Sequence, residues 1–286
     1  MNEKITFLKQ KQKRLQILGT LFLITLIIVL LIGMKSQLLS AVLAFLFLLI
    51  YLFGIRSAKK NYQQAVKTVI LEESFRPQFK QITYLPKDGL SPSDLADTGF
   101  FPVAHAKNML IRDTLKGTYQ GMPVVLSDLT FDVVSSQPGS TKNTVDFLAG
   151  CYFDIQLNKK TGMNCCLWSE DCMPQNRKKD LYPNLICAQL EASGEKPHSY
   201  CLYQLPDMPE TLFPDSLLKA ICRLDEYTPG AIALQITDDH LRIFIRSRFL
   251  YTMTVKIQAP LTSQLLTANP FPEIHAILRT ADTLIS

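Results

Sequence analysis

The sequence predicts an α+β protein, with an N-terminal two-helix transmembrane hairpin followed by a mainly antiparallel-sheet cytoplasmic domain. Helices are expected at the start, middle and C-terminus of that domain. Three observations carry the prediction. Two uncharged apolar runs, Ile17–Met34 and Leu38–Ile55, are separated only by Lys35-Ser36-Gln37. Lysines and arginines crowd around these runs. Beyond them, short alternating apolar segments bounded by turn residues outnumber helical repeats.

Each apolar run has 18 residues. At about 1.5 Å per residue a run is roughly 27 Å long as a helix, close to the ~30 Å hydrocarbon core of a bilayer. One helix through both would be about twice too long, so Gly33 and the polar tripeptide read as a tight turn. Neither span has an ionisable residue at mid-depth, which argues against a transport path. Thr20, Thr25 and Ser40 are too few to line an oligomeric pore.

The formal net charge of +5 conceals an asymmetry. Residues 1–60 carry nine Lys/Arg and one acid, whereas the rest holds 21 Lys/Arg and 24 acids. Lys4, Lys9, Lys11, Lys13 and Arg14 precede the first span, Arg56, Lys59, Lys60 and Lys67 follow the second, and the turn has only Lys35. The positive-inside rule places a multi-pass protein in the cell membrane with both termini cytoplasmic. A cleaved signal peptide would need a small-residue cleavage site, but a second full-length span follows at once. The mildly acidic remainder excludes a nucleic-acid-binding domain with its own basic stripe. The partners expected are the lipid bilayer and either another protein or a second copy of the chain.

In chain order, residues 1–16 form a basic lead suited to lipid headgroups. Residues 56–76 read as a juxtamembrane stalk helix, because Tyr62, Val66, Val69 and Ile70 recur at spacings of three and four before Pro77. Residues 77–286 form the α+β domain. Ser91 and Pro92 start a short helix that reaches Ala96 and ends before Gly99. Leu115–Tyr119 and Met122–Leu126 make a hairpin across Gln120-Gly121, and Phe131–Val134 extends the sheet. Ser135–Lys142 is a polar loop. Val145–Leu157 is a strand bent or bulged at Gly150, with Met163–Trp168 as its returning partner. Glu170–Pro183 is a polar loop, and Leu185–Leu190 and Tyr200–Leu205 are further strands. Pro214–Leu224 is helical, and Ala231–Ile236 pairs with Leu241–Ile245 around Thr237-Asp238-Asp239-His240. Val255–Ile257 adds an edge, and Pro272–Ile285 closes the chain as a helix.

Several of these segments together resemble a known family. They are YLPKDGLSPSDLADTGFF, with the pattern Y-x-P-x-x-G-hydrophobic-S, and LKGTYQGMPVVLSDLTF, a G-x-Y-x-G hairpin followed by Ser127-Asp128. The third is FLAGCYFDIQLNKK, which opens with Phe147 and Gly150 and closes at Asn158-Lys159. With the preceding hairpin they resemble an uncharacterised bacterial family of membrane-anchored proteins, domain of unknown function number three-one-three-seven. The resemblance runs from the hairpin to the final helix. It implies an architecture and a bacterial membrane setting, and no activity.

The chemical candidates are few. Cys165, Cys166, Cys172 and His198 have ligand chemistry for zinc, but adjacent cysteines on a strand face opposite ways and no C-x-x-C pair exists. Neither a metal nor a cofactor is expected. All seven cysteines (Cys151, Cys165, Cys166, Cys172, Cys187, Cys201 and Cys222) read as small residues of a protein in a reducing compartment. His105, His198, His240 and His275 lie in no motif that pairs a base with a cysteine, so no catalytic residue is assigned. Asp238-Asp239-His240 reads as a hairpin tip, and Gly117 and Gly121 as turn residues, not a phosphate loop. The remaining candidate is LRIFIRSR. Alternation puts Arg242, Phe244 and Arg246 on one face, with Arg248 two residues further on. Arginines around an aromatic suit an anion or a protein partner. The plainer alternative is a solvated face paired to Asp225 and Glu226. The function expected is a non-enzymatic, membrane-anchored binding or scaffold module. The alternative is a membrane-surface enzyme, or an anionic-ligand or lipid-binding protein, using the arginine face.

Overall fold

The structure, a computed structural model, describes residues 2–33, 37–87, 89–101, 106–136, 143–172, 185–192, 198–204, 214–228, 230–251 and 260–286. It divides into two compact units, Met1–Phe75 with Met253–Asn269 and Arg76–Thr252 with Pro270–Ser286.

The first unit is helical. Helix α1 spans Asn2–Gly33 and takes in the basic lead as its first half. No proline or glycine interrupts residues 2–16, and Leu8 and Leu15, two turns apart, are buried. Helix α2 (Gln37–Leu49), a π-helical turn (Ile50–Ile55) and helix α3 (Arg56–Phe75) follow one another without a break. Helix α1 runs antiparallel to them. Phe22 stacks on Phe47 at 3.9 Å and meets Tyr51 at 5.5 Å, while Lys4 bridges Glu72 and Glu73 at 2.9 Å each. Among the described residues, α1 is the one helix long and apolar enough to cross a membrane. Its apolar window has a mean hydropathy of 2.3 and is 6% buried. The second apolar run is divided between α2 and the π-helical turn, and residues 34–36 before it lie outside the described residues.

The second unit is an antiparallel sheet with helices on its surface. Its elements are β1 (Lys80–Leu85), α4 (Pro92–Asp97), β2 (Ala106–Tyr119), β3 (Met122–Ser136), β4 (Asn143–Gln156) and β5 (Cys165–Ser169). After them come β6 (Ile186–Ala192), β7 (His198–Gln204), α5 (Asp215–Tyr227), β8 (Ile232–Ile236), β9 (His240–Arg246) and α7 (Ile274–Ile285). A short helix α6 (Ser263–Thr267), capped by Thr262, belongs to the first unit and packs on α3. The described strands form one sheet in the order β1-β2-β3-β4-β9-β8-β5-β7-β6.

Local sequence explains the elements. Ser91 accepts from the Asp94 amide while the Asp94 carboxylate accepts from the Ser91 amide, a reciprocal cap with Pro92 in the first helical position. At the β2–β3 turn Gln120 (φ 49°) and Gly121 (φ 85°) both adopt the left-handed geometry that a two-residue hairpin needs. Strand β2 is longer than the pattern indicates. Asn108 (φ 53°) and Asp113 (φ 55°) lie at its two register shifts and break the alternation there. Strand β1, absent from the sequence reading, offers only Ile82 and Tyr84 as alternating apolar residues. The expected pairing of Val145–Leu157 with Met163–Trp168 is corrected: β4 pairs with β9, and β5 lies between β8 and β7. All five residues of β5 are buried, so it takes a partner on each edge. The intervening turn instead rests on the β8–β9 tip, where Leu157 and Thr161 donate to the Asp239 and Asp238 carbonyls. The expected edge at Val255–Ile257 lies outside the described residues.

Alternation sorts the core into two faces. One carries Phe131, Tyr152, Trp168, Tyr203 and Phe244 under Leu95, Phe100 and Phe101. Phe101 meets Phe131 at 5.2 Å and Phe244 edge-on at 5.4 Å. The other carries Leu126, Phe153, Ile155, Leu241, Ile243 and Ile245, all buried. Phe271, just before α7, covers Phe153 at 5.2 Å, and Tyr200 donates to Asp225 of α5 at 2.8 Å.

Gly150 marks no bulge, since β4 keeps unbroken register with both neighbours. A Cβ there would lie 2.1 Å from the Ile245 carbonyl oxygen and 3.0 Å from the Phe244 ring. Gly150→Ala should therefore destabilise the unit by about 2–3 kcal/mol through overpacking. Urea unfolding of the full chain in detergent, followed by fluorescence of its single tryptophan, Trp168, measures this. A change within about 0.5 kcal/mol would show that β9 yields freely.

Candidate functional site

The arginine strand comes first. Residues Arg242, Phe244 and Arg246 share the aromatic face of β9, as alternation requires. Phe244 is fully buried in the aromatic cluster. Arg242, 9% exposed, meets Asp154 Oδ2 with Nε at 3.3 Å and donates from Nη1 to Gln235 Oε1 at 2.8 Å. Gln235 in turn donates to the Thr98 carbonyl at 3.0 Å, which ties down the chain after α4. His240 Nδ1 lies 2.7 Å from Asp154 Oδ1, and the Tyr152 hydroxyl donates to Asp154 Oδ2 at 3.3 Å. Burial pushes the Asp154 carboxyl up. The His240 hydrogen bond and the Arg242 charge more than offset this and hold it below its ordinary value of 3.8. Burial and the Asp154 charge push the Tyr152 phenol well up.

Arg246 donates to the Asp171 carbonyl at 3.0 Å. Arg248 is elsewhere. Ser247 takes φ 61°, and Arg248 bonds to both oxygens of Glu273, at 3.0 and 3.2 Å, and to the Pro270 carbonyl at 2.9 Å. Its guanidinium lies 5.0 Å from the Phe271 ring centroid. The four predicted residues thus make no common surface. Strand β9 is central and covered on both faces, so the buried charge of Arg242 is held by internal partners, a position that residue pattern alone does not reveal.

Among the described residues, the buried cysteines offer little nucleophilic chemistry. Cys166 faces the aromatic cluster and its neighbour Cys165 the opposite side. Burial pushes the Cys165 thiol up to about 12, and those of Cys151 and Cys172 also well up, which suppresses thiolate. Among the described residues, no three His, Cys, Asp or Glu side chains are grouped to hold a metal. His105 and the side chain of His198 lie outside the described residues.

A second arrangement was not evident from sequence. Helices α5 and α7 pack side by side, and a groove of about 940 Å³ lies along them. Lys219, Arg223 and Tyr227 line it from α5 at steps of four, and His275 and Arg279 from α7 at the same step. Among the described residues the side chains of Lys219, Arg223 and Arg279 have neither an ion pair nor a hydrogen bond. Of the two acidic side chains in the groove's lining, Glu273 is paired to Arg248, while Asp282 accepts from the Tyr119 hydroxyl at 2.9 Å through Oδ2 and, among the described residues, has no partner at Oδ1. The signal was present in the i, i+4 cations on the polar side of two amphipathic helices, but only tertiary packing sets those stripes beside each other. Comparison with protein-family models, curated proteins and solved structures finds no match to this chain.

The Asp154 cluster has a pH signature. A carboxyl held below its unfolded value contributes stability that is present above that value, about 3.8, and lost as pH falls through the folded value. Unfolding free energy should therefore decline with acidification below about pH 4, and Asp154→Asn should remove that component. At neutral pH, Arg242→Ala should cost about 2–3 kcal/mol by leaving Asp154 without its paired cation and Gln235 Oε1 without its donor. Asp154→Ala/Arg242→Ala should cost less than the two single changes added together, and full additivity would mean the pair is not coupled.

Proposed function

We propose that this chain is a membrane-anchored, non-enzymatic binding module. Its anchor crosses the bilayer twice, through Ile17–Met34 and Leu38–Ile55, and both termini lie on the cytoplasmic side. The observation that carries the reading is the apolar surface of α1. Ile17, Leu21, Leu23, Ile27, Leu30 and Leu31 each keep half or more of their surface exposed, an area that a protein without a lipid or protein partner does not leave uncovered. The antiparallel return of α2 beside α1, with Phe22 on Phe47, supports a second crossing. The lysines and arginines outside both runs support the orientation. Under this reading the chain belongs beside the uncharacterised bacterial membrane-anchored family it resembles.

Binding is favoured over catalysis because the conspicuous ionisable groups in and against the sheet, Asp154, Arg242, Arg248 and Glu273, are engaged with one another. One arrangement favours the second reading, a membrane-surface enzyme. The Asp154 carboxylate holds Nδ1 of His240, which leaves Nε2 for proton transfer.

Epitope tags at the two ends, with protease applied to right-side-out and inverted membrane vesicles, test the anchor. Both tags should be protected in the first and cleaved in the second, and alkaline carbonate should leave the chain in the membrane. Cleavage of one tag from each side would mean a single crossing, and release by carbonate would remove the anchor altogether.

A further inference from the structure

We infer that the groove between α5 and α7 binds a small, soluble polyanion carrying two or more phosphate groups. The inference rests on reading the second unit as a binding module and is independent of the anchor.

The contrast among the cations is the starting point. Arg242 and Arg248 are matched to carboxylates, and Arg246 to a backbone carbonyl. Lys219, Arg223 and Arg279 are matched to nothing among the described residues, yet they line a single groove. Two come from one helix and the third from the other, so a ligand in the groove has positive charge on both walls. Of the two acidic side chains in the lining, Glu273 is paired to Arg248, whereas Asp282 accepts only from the neutral Tyr119 hydroxyl and keeps its charge, so the three cations outnumber the one uncompensated acid. An anion is the ligand charge this arrangement favours, and one carrying several negative charges can meet the cations of both walls at once.

The donors fit phosphate. A guanidinium offers a planar fork to two phosphate oxygens, and an ammonium acts as a compact point charge. Ser216 of α5 adds a neutral hydroxyl donor to the same lining. The volume of about 940 Å³ falls within the roughly 300–1,000 Å³ of small-molecule sites.

The same lining disfavours a protein partner. Stable protein interfaces centre on large buried apolar or aromatic anchors. Here the apolar lining is Ala220, Ala276, Pro272 and the ring of Tyr227, which is 70% exposed. Small side chains admit a ligand into the groove without offering a pocket for an apolar anchor, and Tyr227 presents a ring face to its uncharged part.

The test is calorimetric titration of the full chain in detergent with inorganic tripolyphosphate, and with sulfate for comparison. Tripolyphosphate should bind saturably with one site per chain and at least tenfold more tightly than sulfate. Lys219→Gln/Arg223→Gln and, separately, Arg279→Gln should each weaken it tenfold or more with the melting temperature unchanged. Lys59→Gln/Lys60→Gln, on exposed positions of α3, should leave it unaltered. If a groove variant proves unfolded, Arg223→Lys replaces it, and loss of the bidentate fork should still weaken binding severalfold. Absence of saturable binding, or equal weakening by the α3 variant, overturns the inference. If tripolyphosphate does not bind but a crosslinked protein partner is lost in the groove variants, the phosphate inference fails and the binding module stands. If neither ligand nor partner depends on the groove, both fail.

Discussion

Strand β9 lies in the middle of a sheet covered on both faces, and much of the second unit follows from that burial. A charge in such a strand must be matched where it stands. Asp154 lies directly opposite Arg242 in the β4–β9 register, and Gln235 lies directly opposite Arg242 on the other side. At an effective dielectric of about 20, unit charges 3.3 Å apart attract by roughly 5 kcal/mol, which is comparable to the several kcal/mol lost in desolvating each ion. The net stabilisation is therefore small. The larger effect is on register, since a slip of one residue would send Arg242 and Asp154 to opposite faces and leave two buried charges unmatched.

The same rule orders the rest of that face. Gln235 spends its amide on the Thr98 carbonyl, so the polar cluster reaches the segment that carries Phe100 and Phe101 onto the aromatic core. On the other face Arg248 grips Glu273 and the Pro270 carbonyl immediately before α7, beside the ring of Phe271 that covers Phe153. Each arginine anchors a covering segment to the sheet. What is left over chemically is the outer surface of α5 and α7, where cations are not needed to hold the fold together and remain unmatched.

The helical unit divides its labour along α1. Its first half is amphipathic, with Leu8 and Leu15 buried and Lys4 paired to Glu72 and Glu73, while its second half presents aliphatic side chains all round. A helix apolar on every side is suited to lipid, and one with a single buried stripe to a neighbouring helix. The change between the two patterns occurs within one uninterrupted helix, because nothing in residues 2–33 breaks it.

What the sequence by itself determined was local. The Ser91-Pro92 helix start, the Gln120-Gly121 turn, the β8–β9 hairpin, the apolar stripes of α5 and α7 and the hydropathy of α1 all depend on residues within a few positions of one another. The mixed α+β class with an antiparallel sheet followed from these elements. Only the tertiary structure decided the strand order, since nothing near β5 states that β8 and β7, and not β4, will flank it. It also decided the fate of the arginines. Alternation correctly grouped Arg242, Phe244 and Arg246, but a central strand and an edge strand have the same period, and only the sheet order buried Arg242 and Phe244. The left-handed residue Ser247 then separated Arg248 from it. The groove was hidden for the matching reason: two short cationic stripes some fifty residues apart become one feature only when a shared sheet face brings their helices together.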